Sequence, residues 1–202
     1  RIKNHRTPKS FFIKIDRDLD LGEEGYHLSI DSDNSVEVNS LSYAGLFYGY
    51  QTFRQICDPE LESEKDLMST LIPCLEIIDE PKFGYRGMHL DVSRHFFDVD
   101  FIKTYIDMIA LHKMNVFHWH LTDDNGWRIE IDKYPLLVEK SAWRVDRTSE
   151  PWKEQSPIKE NEEATYGGYY TKEEIREVVD YAASKSIMAV SYTHLTLPTI
   201  FA

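Results

Sequence analysis

Two short stretches contain most of the side chains that could take part in chemistry. The first is NVFHWHLTDDNGWRIEI, residues 115–131, which includes His118, His120 and the adjacent acids Asp123 and Asp124. Imidazoles and carboxylates can transfer protons to or from a substrate, and both can bind metal ions. Because polar groups are costly in an apolar strand, their concentration here predicts a functional site.

The second stretch, YRGMHLDVSRHFF at residues 85–97, is also an apolar run that ends in polar groups. These groups are Asp91, Ser93, Arg94 and His95. The Arg94 guanidinium offers five fixed N–H donors, which suit sugar hydroxyls and carboxylates. From the residues alone we favour a structural ion pair of Arg94 with Asp91 or Asp123, since such pairs also occur at these positions.

The two histidines of the first stretch raise the alternative of a metal site. His118 and His120 lie on one face of a strand, and Asp123 could complete the roughly three protein ligands that a metal site needs. We favour hydrogen-bonded structural roles for these histidines and for His89 and His95, and therefore predict no metal and no cofactor.

The remaining polar and aromatic residues of the first stretch have structural interpretations. Asp124 is interpreted as a structural acid paired with Arg128. Trp119 and Trp127 could stack on a sugar face, but we predict that both belong to the core.

The elements that must position these groups form a βαβ unit. Asn115 to Thr122 reads as a buried strand, and Val99 to Met114 reads as a helix capped by Asp98 or Asp100. The stripe of this helix is Ile102, Tyr105, Ile106 and Ile109. The spacing predicts that strands 85–92 and 115–121 pair in parallel, with Arg94 and Asp123 converging on one cavity at the carboxyl-end rim where such folds build active sites.

The flanking segments extend this pattern on both sides. Downstream, the sequence predicts a short helix at 134–140, a long polar loop at 141–166, a helix capped by Thr171 and Glu174, and a third parallel strand at 187–190. Upstream, it predicts a strand at 11–15, a hairpin of 25–30 with 35–40, and a helix from Ser42 to Cys57. That helix should bury Leu46, Tyr50, Phe53 and Cys57, with Gly45 and Gly49 packed closely on a sheet. Residues 58–70 are interpreted as a surface loop.

Composition restricts the class of protein. The formal net charge of −12 makes nucleic acid and anionic membranes poor partners. No apolar run approaches the roughly 20 residues that a membrane-spanning helix needs. Cys57 and Cys74 lack metal-type spacing and are interpreted as free thiols. The oligomeric state stays open.

Three motifs carry a resemblance to a known family. RGMHLDVSRHFF, KMNVFHWHLTDDNGWRIEI and YGGYYTKEEI closely resemble the β-N-acetylhexosaminidases of glycoside hydrolase family 20, from about Gly25 to Val190. The resemblance implies an α/β fold: a small N-terminal non-catalytic α+β domain at 1–80, then the first part of a (β/α)8 TIM barrel at 81–190, truncated after about three strands. The tail at 191–202, SYTHLTLPTIFA, matches neither the family nor a barrel turn; we read it as aberrant and predict that it packs poorly.

The resemblance also implies a function. The parent protein would be a retaining exo-glycosidase that removes terminal β-linked N-acetylglucosamine or N-acetylgalactosamine, with the substrate's own acetamide as nucleophile. Arg94 matches the arginine that holds the sugar hydroxyls, and Asp123 matches the aspartate that supports the catalytic acid. The family's catalytic Asp-Glu pair lies on a later strand, so we expect this piece to be inactive. Asp79-Glu80 precedes the barrel and is rejected as that pair.

Two alternatives remain open at this point. One is a carbohydrate-binding protein that uses Arg94, Asp123 and aromatic side chains without chemistry. The other is a metal-dependent hydrolase built on His118, His120 and Asp123. The compartment is undecided; periplasmic, secreted or lysosomal locations are compatible with the resemblance.

Overall fold

The computed structural model describes residues 10–33, 35–57, 72–147, 149–151 and 159–191. The chain divides into two compact units, one of Arg1–Arg86 with Ala110–Lys113 and the other of Gly87–Ile109 with Met114–Ala202. The domain bounds at 1–80, 81–190 and 191–202 stay predictions. The predicted loop at 58–70 lies outside the described residues, as do residues 192–202 of the tail.

The described part of the first unit is a four-stranded sheet with one helix. Its strands are β1 Ser10–Ile15, β2 Tyr26–Ile30, β3 Ser35–Ser40 and β4 Leu75–Asp79, in the order β1-β3-β2-β4. The predicted hairpin is confirmed, since β2 and β3 pair antiparallel with Leu28 opposite Val38. Alternation along β2 and β3 puts Tyr26, Leu28, Val36 and Val38 into the core.

Helix α1, Tyr43–Ile56, begins at the predicted cap, where the Ser42 side chain accepts the Gly45 N–H. Both glycines of this helix lie against the sheet: a Cβ on Gly49 would lie 2.4 Å from Val38 Cγ1. The predicted buried stripe was wrong at Tyr50, which is 44% exposed, whereas Tyr48 is buried. The helix turns its glycine face to the sheet, and this rotates Tyr50 outwards.

The second unit contains the predicted parallel sheet. Strands β5 Gly87–Asp91, β6 Val116–His120 and β11 Met188–Val190 form it, in the order β11-β6-β5. β6 pairs in parallel with both neighbours, which confirms the neighbouring strands predicted at 85–92 and 115–121 and the third strand at 187–190. The carboxyl ends of β5 and β6 therefore meet at one edge of the sheet.

Helices follow the strands as the sequence predicted. Helix α2, Val99–Leu111, buries Ile102, Ile106 and Ile109, and the Asp98 side chain accepts the Phe101 N–H at its start. The other helices of the described part of this unit are α3 Leu136–Glu139 and α4 Lys172–Ser184. Thr171 and Glu174 form the predicted capping box of α4. Among the described residues no helix has the length and apolarity to cross a membrane.

Short ladders complete the second unit: β7 Thr122–Asp123 with β8 Gly126–Trp127, and β9 Trp143–Arg144 with β10 Tyr166–Gly167. The segment 141–166 is therefore not wholly loop, because its two ends pair with each other. The β7–β8 turn consists of Asp124 and Asn125, one residue earlier than the predicted Asn125-Gly126 turn.

Candidate functional site

The candidate site lies where β5 and β6 end. Their register places Asp91 opposite His120 and His89 opposite His118, so these side chains share one face of the sheet. The alternate residues Phe117 and Trp119 are buried on the opposite face. The core role predicted for Trp119 is thus confirmed, whereas Trp127 is half-buried, with its indole Nε1 donating to the Ile129 carbonyl.

Arg94 and Asp123 come together at this rim. Arg94 Nη1 lies 2.6 Å from Asp123 Oδ2 and donates to Asp91 Oδ2 at 2.9 Å. Arg94 Nε donates to Asn125 Oδ1 at 3.1 Å, so the turn between β7 and β8 also orients the guanidinium. The predicted contact of the two side chains at the rim is confirmed, whereas the cavity on which they were expected to converge stays a prediction.

The site contains both the structural ion pair and an accessible guanidinium. Arg94 bridges Asp91 and Asp123, yet 41% of its side chain is exposed. An arginine held by two carboxylates at the rim can still direct N–H donors towards a ligand. Its role in binding stays a prediction.

The charges of this cluster support one another. Burial raises the pKa of Asp123, but a backbone N–H from Asp124, a hydrogen bond with His120 and the charge of Arg94 outweigh it and lower the pKa overall. Burial lowers the pKa of Arg94, but Asp91 and Asp123 outweigh it and raise the pKa. Both partners are therefore ionised at neutral pH.

The histidine cluster differs from the set considered under the metal alternative. His89, His118 and His120 place one possible ligand atom each within 4.8 Å of the others. Asp123, the third ligand in that alternative, contacts His120 Nε2 at 2.9 Å instead. The cause is the strand register, which puts His89 beside His118. Burial, together with the neighbouring His89 and His120, lowers the pKa of His118 and favours its neutral form.

The predicted pairing of Asp124 with Arg128 was wrong. Asp124 is exposed, and its carboxylate lies 3.7 Å from Arg94 Nη2. Arg128 is fully buried and donates to four backbone carbonyls, those of Val92, Ser93, Ala142 and Gly168. The alternation of Trp127, Ile129 and Ile131 puts Arg128 on the polar face of the pattern, so the sequence carried no signal of its burial.

A cavity of about 610 Å³ lies in another part of the second unit. Its lining residues are Glu139, Lys140, Trp143, Glu163, Ala164 and Thr165. Sequence reasoning did not single out any of these side chains. The cavity lining includes neither Arg94 nor Asp123.

Comparison with known proteins identifies similar chains over almost the whole length. Residues 83–194 match the family described as "Glycosyl hydrolase family 20, catalytic domain", and residues 1–80 match "Glycosyl hydrolase family 20, domain 2". A beta-hexosaminidase of Porphyromonas gingivalis is 42% identical over 182 residues, which is 90% of this chain and 22% of that protein. A beta-hexosaminidase of Vibrio furnissii is 41% identical over 84% of this chain and 26% of its own length.

Solved structures give the same result. The N-acetyl-beta-hexosaminidase of Streptomyces plicatus in complex with Thio-NAglucal superposes with a TM-score of 0.76 at 37% identity, covering 90% of this chain and 33% of that one. The exo beta-N-acetylglucosaminidase of Vibrio harveyi in complex with N-acetylglucosamine gives 0.73 at 36% identity, covering 91% and 27%. The fold class is confirmed: a small α+β part followed by the first part of a (β/α)8 barrel.

Proposed function

The chain belongs to glycosyl hydrolase family 20, and from this membership we propose that the whole protein is a retaining exo-β-N-acetylhexosaminidase. It removes terminal β-linked N-acetylglucosamine or N-acetylgalactosamine from a glycan. The similar proteins from Porphyromonas gingivalis and Vibrio furnissii are beta-hexosaminidases, and the Vibrio harveyi structure holds N-acetylglucosamine. Their names and ligands support this substrate class.

The observation that carries the proposal is the Arg94–Asp123 contact of 2.6 Å at the strand-end rim. Arg94 donates hydrogen bonds to the ring hydroxyls of the terminal sugar. Asp123, kept ionised by its neighbours, supports the group that protonates the leaving oxygen. Donors and an acceptor side by side suit vicinal hydroxyls, which both donate and accept.

The reaction itself needs a further pair of acids. In this family the substrate's acetamide oxygen attacks the anomeric carbon, an aspartate steadies the acetamide, and the adjacent glutamate protonates the leaving oxygen. The Asp79-Glu80 dipeptide begins at the last residue of β4, in the first unit, and does not qualify. We therefore propose that the 202-residue chain is itself inactive and holds only the Arg94–Asp123 part of the sugar site.

Two assays test whether the 202-residue chain is inactive and the complete protein is active. The purified 202-residue chain should not release 4-nitrophenol from the N-acetyl-β-glucosaminide, whereas the gene's full reading frame should produce an active enzyme. The Asp79→Asn variant of the chain is the control. If the chain hydrolyses the substrate and Asp79→Asn abolishes this hydrolysis, the rejection of Asp79-Glu80 as the catalytic pair is wrong. An inactive full-length product that still binds N-acetylglucosamine would instead favour a non-catalytic carbohydrate-binding protein.

The histidine cluster favours a second candidate, a metal-dependent hydrolase. Three imidazoles are a known ligand set for catalytic zinc. This candidate predicts hydrolysis that a chelator removes and zinc restores, and that His89→Gln abolishes. The surface His27→Gln serves as the control, because its ring contacts Glu76 in the first unit.

A further inference from the structure

Arg128 is bound in an unusual way for an arginine of a small domain. Its side chain is fully buried, and none of the ion pairs among the described residues includes it. Burial is the largest influence on the Arg128 pKa and lowers it, followed by the charge of Arg144. An arginine nevertheless stays protonated in proteins. The buried cation is therefore satisfied by backbone dipoles, and its hydrogen bonds have fixed directions.

Two of these bonds hold the turn that leads into Arg94. Arg128 Nε donates to the Val92 carbonyl at 2.9 Å, and Nη2 donates to the Ser93 carbonyl at 2.8 Å. These carbonyls belong to the two peptide planes directly before Arg94. One rigid guanidinium thus sets both planes, because its fork geometry does not rotate internally.

Other contacts secure the same turn from either side. The Asp91 carboxylate accepts the N–H groups of Ser93 and Arg94, at 2.9 and 3.0 Å. The Ser93 hydroxyl donates to the Gly126 carbonyl at 2.8 Å, and Arg144 Nη2 donates to the carbonyl of Arg94 itself. The backbone at Arg94 is therefore held on all sides within the second unit.

The other end of Arg128 reaches two more distant segments. Nη1 donates to the Gly168 carbonyl at 2.9 Å and to the Ala142 carbonyl at 2.5 Å. Gly126 leaves room for this arrangement, since a Cβ there would lie 2.5 Å from Arg128 Cζ. Ala142 precedes strand β9, and Gly168 precedes helix α4. Arg128 therefore links both of these segments to the Arg94 turn.

We infer that Arg128 is a positioning residue for sugar recognition: it sets the backbone from which Arg94 reaches Asp123. This inference rests on the proposed function for its consequence, but its structural content is independent of that function. A shift of Arg94 by about 1 Å would lower kcat/KM of the complete enzyme by on the order of 10²-fold, since small misplacements of binding groups have effects of this size.

The test uses the 202-residue chain and reads the Arg94 Nε–H signal by two-dimensional nitrogen-15 NMR. That signal is assigned by its loss in Arg94→Lys, and it reports the bond to Asn125 Oδ1. Arg128→Lys keeps the charge but replaces the planar fork by a single ammonium. We expect the Arg94 signal to shift or broaden while the fold is retained.

The matched control is Arg86→Lys. Arg86 also donates to backbone carbonyls, those of Lys113 and Phe83, but belongs to the first unit. It should lower the melting temperature without moving the Arg94 signal. Gly126→Ala is the second variant, in case Arg128→Lys does not fold; its Cβ would lie 2.5 Å from Arg128 Cζ, so the guanidinium must move and should move the same signal.

The outcomes separate this inference from the proposed function. If folded Arg128→Lys or Gly126→Ala leaves the Arg94 signal where it was, the positioning role of Arg128 is wrong. If the signal moves and kcat/KM of the complete enzyme falls, while Arg128→Lys is as stable as Arg86→Lys, the positioning role of Arg128 and the sugar-binding role of Arg94 are both supported. If the signal moves but kcat/KM does not change, Arg128 positions Arg94 and the sugar-binding role of Arg94 fails.

Discussion

Arg94 Nη1 lies 2.6 Å from Asp123 Oδ2, although the two residues follow different strands with helix α2 between them. The contact exists because β5 and β6 are parallel neighbours and their carboxyl ends are adjacent. It brings a cation and an anion to a rim where both remain partly exposed, at 41% and 27% of their side chains.

Replacing Arg94 by alanine in the complete enzyme should lower kcat/KM by the equivalent of about 1.5–3 kcal/mol, the usual size of a hydrogen bond to a charged group. The loss arises because the sugar hydroxyls lose charged donors. It is measured with a chromogenic N-acetylglucosaminide, with melting temperatures on the same preparations. Arg176→Ala is the control, since Arg176 is exposed and its one ion pair with a described residue is with Glu173 in α4. Full activity in a folded Arg94→Ala enzyme would end the assignment.

Asp123→Asn should make stability less dependent on pH. The folded-state pKa of Asp123 is lowered from 3.8, so its ionised form stabilises the fold above that value, and this stability is lost as pH falls through the lower, folded-state pKa. The deficit of Asp123→Asn relative to wild type should be largest at neutral pH and shrink as the pH falls below 3.8. Urea denaturation at neutral pH and below pH 3.8 measures it.

The surface aspartate Asp180 on α4 provides the control for this comparison. Asp180→Asn, which removes an exposed carboxylate, should change the free energy of unfolding by less than about 0.5 kcal/mol at either pH. A deficit for Asp123→Asn that is the same at both pH values would mean that charge is not what stabilises the contact.

Gly49→Ala should destabilise the chain by about 1–3 kcal/mol, the usual cost of overpacking a core. The added Cβ would lie 2.4 Å from Val38 Cγ1 and 3.1 Å from the Tyr26 ring, and this outweighs the gain of roughly 1 kcal/mol in helix propensity. Gly84→Ala is the control, because its Cβ would meet nothing within 4 Å. Equal denaturation midpoints for the two variants would contradict the close packing of α1 on its sheet.

Thr171→Ala should destabilise α4 by about 1 kcal/mol, as for other lost N-caps. The variant removes the acceptor of the Glu174 N–H and half of the capping box. Hydrogen exchange of the first turn of α4, together with the melting temperature, measures the loss. Thr104→Ala within α2 is the control: among the residues that the structure describes, its hydroxyl donates to the Asp100 carbonyl alone, and alanine has the higher helix propensity. If the cap contributed nothing to stability, Thr171→Ala and Thr104→Ala would have equal melting temperatures.

Local patterns were enough to predict the elements. The stripe of Ile102, Ile106 and Ile109 and the capping box of Thr171 and Glu174 depend on residues within a few turns of one helix, and the structure has both. The parallel pairing of β5 with β6 followed from a helix-length crossover, which does not allow a hairpin. The resemblance to the family could also be recognised from the sequence, because it rests on long motifs at fixed spacing.

Tertiary packing decided the partners of the charged groups. The sequence alone left Arg94 with either Asp91 or Asp123, and the structure gives it both. The sequence also predicted an acidic partner for Arg128, but Arg128 instead occupies a buried site lined by carbonyls. A long flexible side chain has many partners within reach, and sequence spacing does not rank them.

The histidine cluster and helix α1 also depended partly on local pattern and partly on tertiary packing. His118 and His120 were on one face by alternation alone, but strand register supplied His89 as the third member of the cluster. The glycine face of α1, and with it the exposure of Tyr50, depended on how closely the helix approaches its sheet. Periodicity, caps and strand direction are local properties, and the sequence alone was enough to predict them. Which side chains meet depended on the packing of the whole domain, because close packing selects among contacts that the sequence leaves equally open.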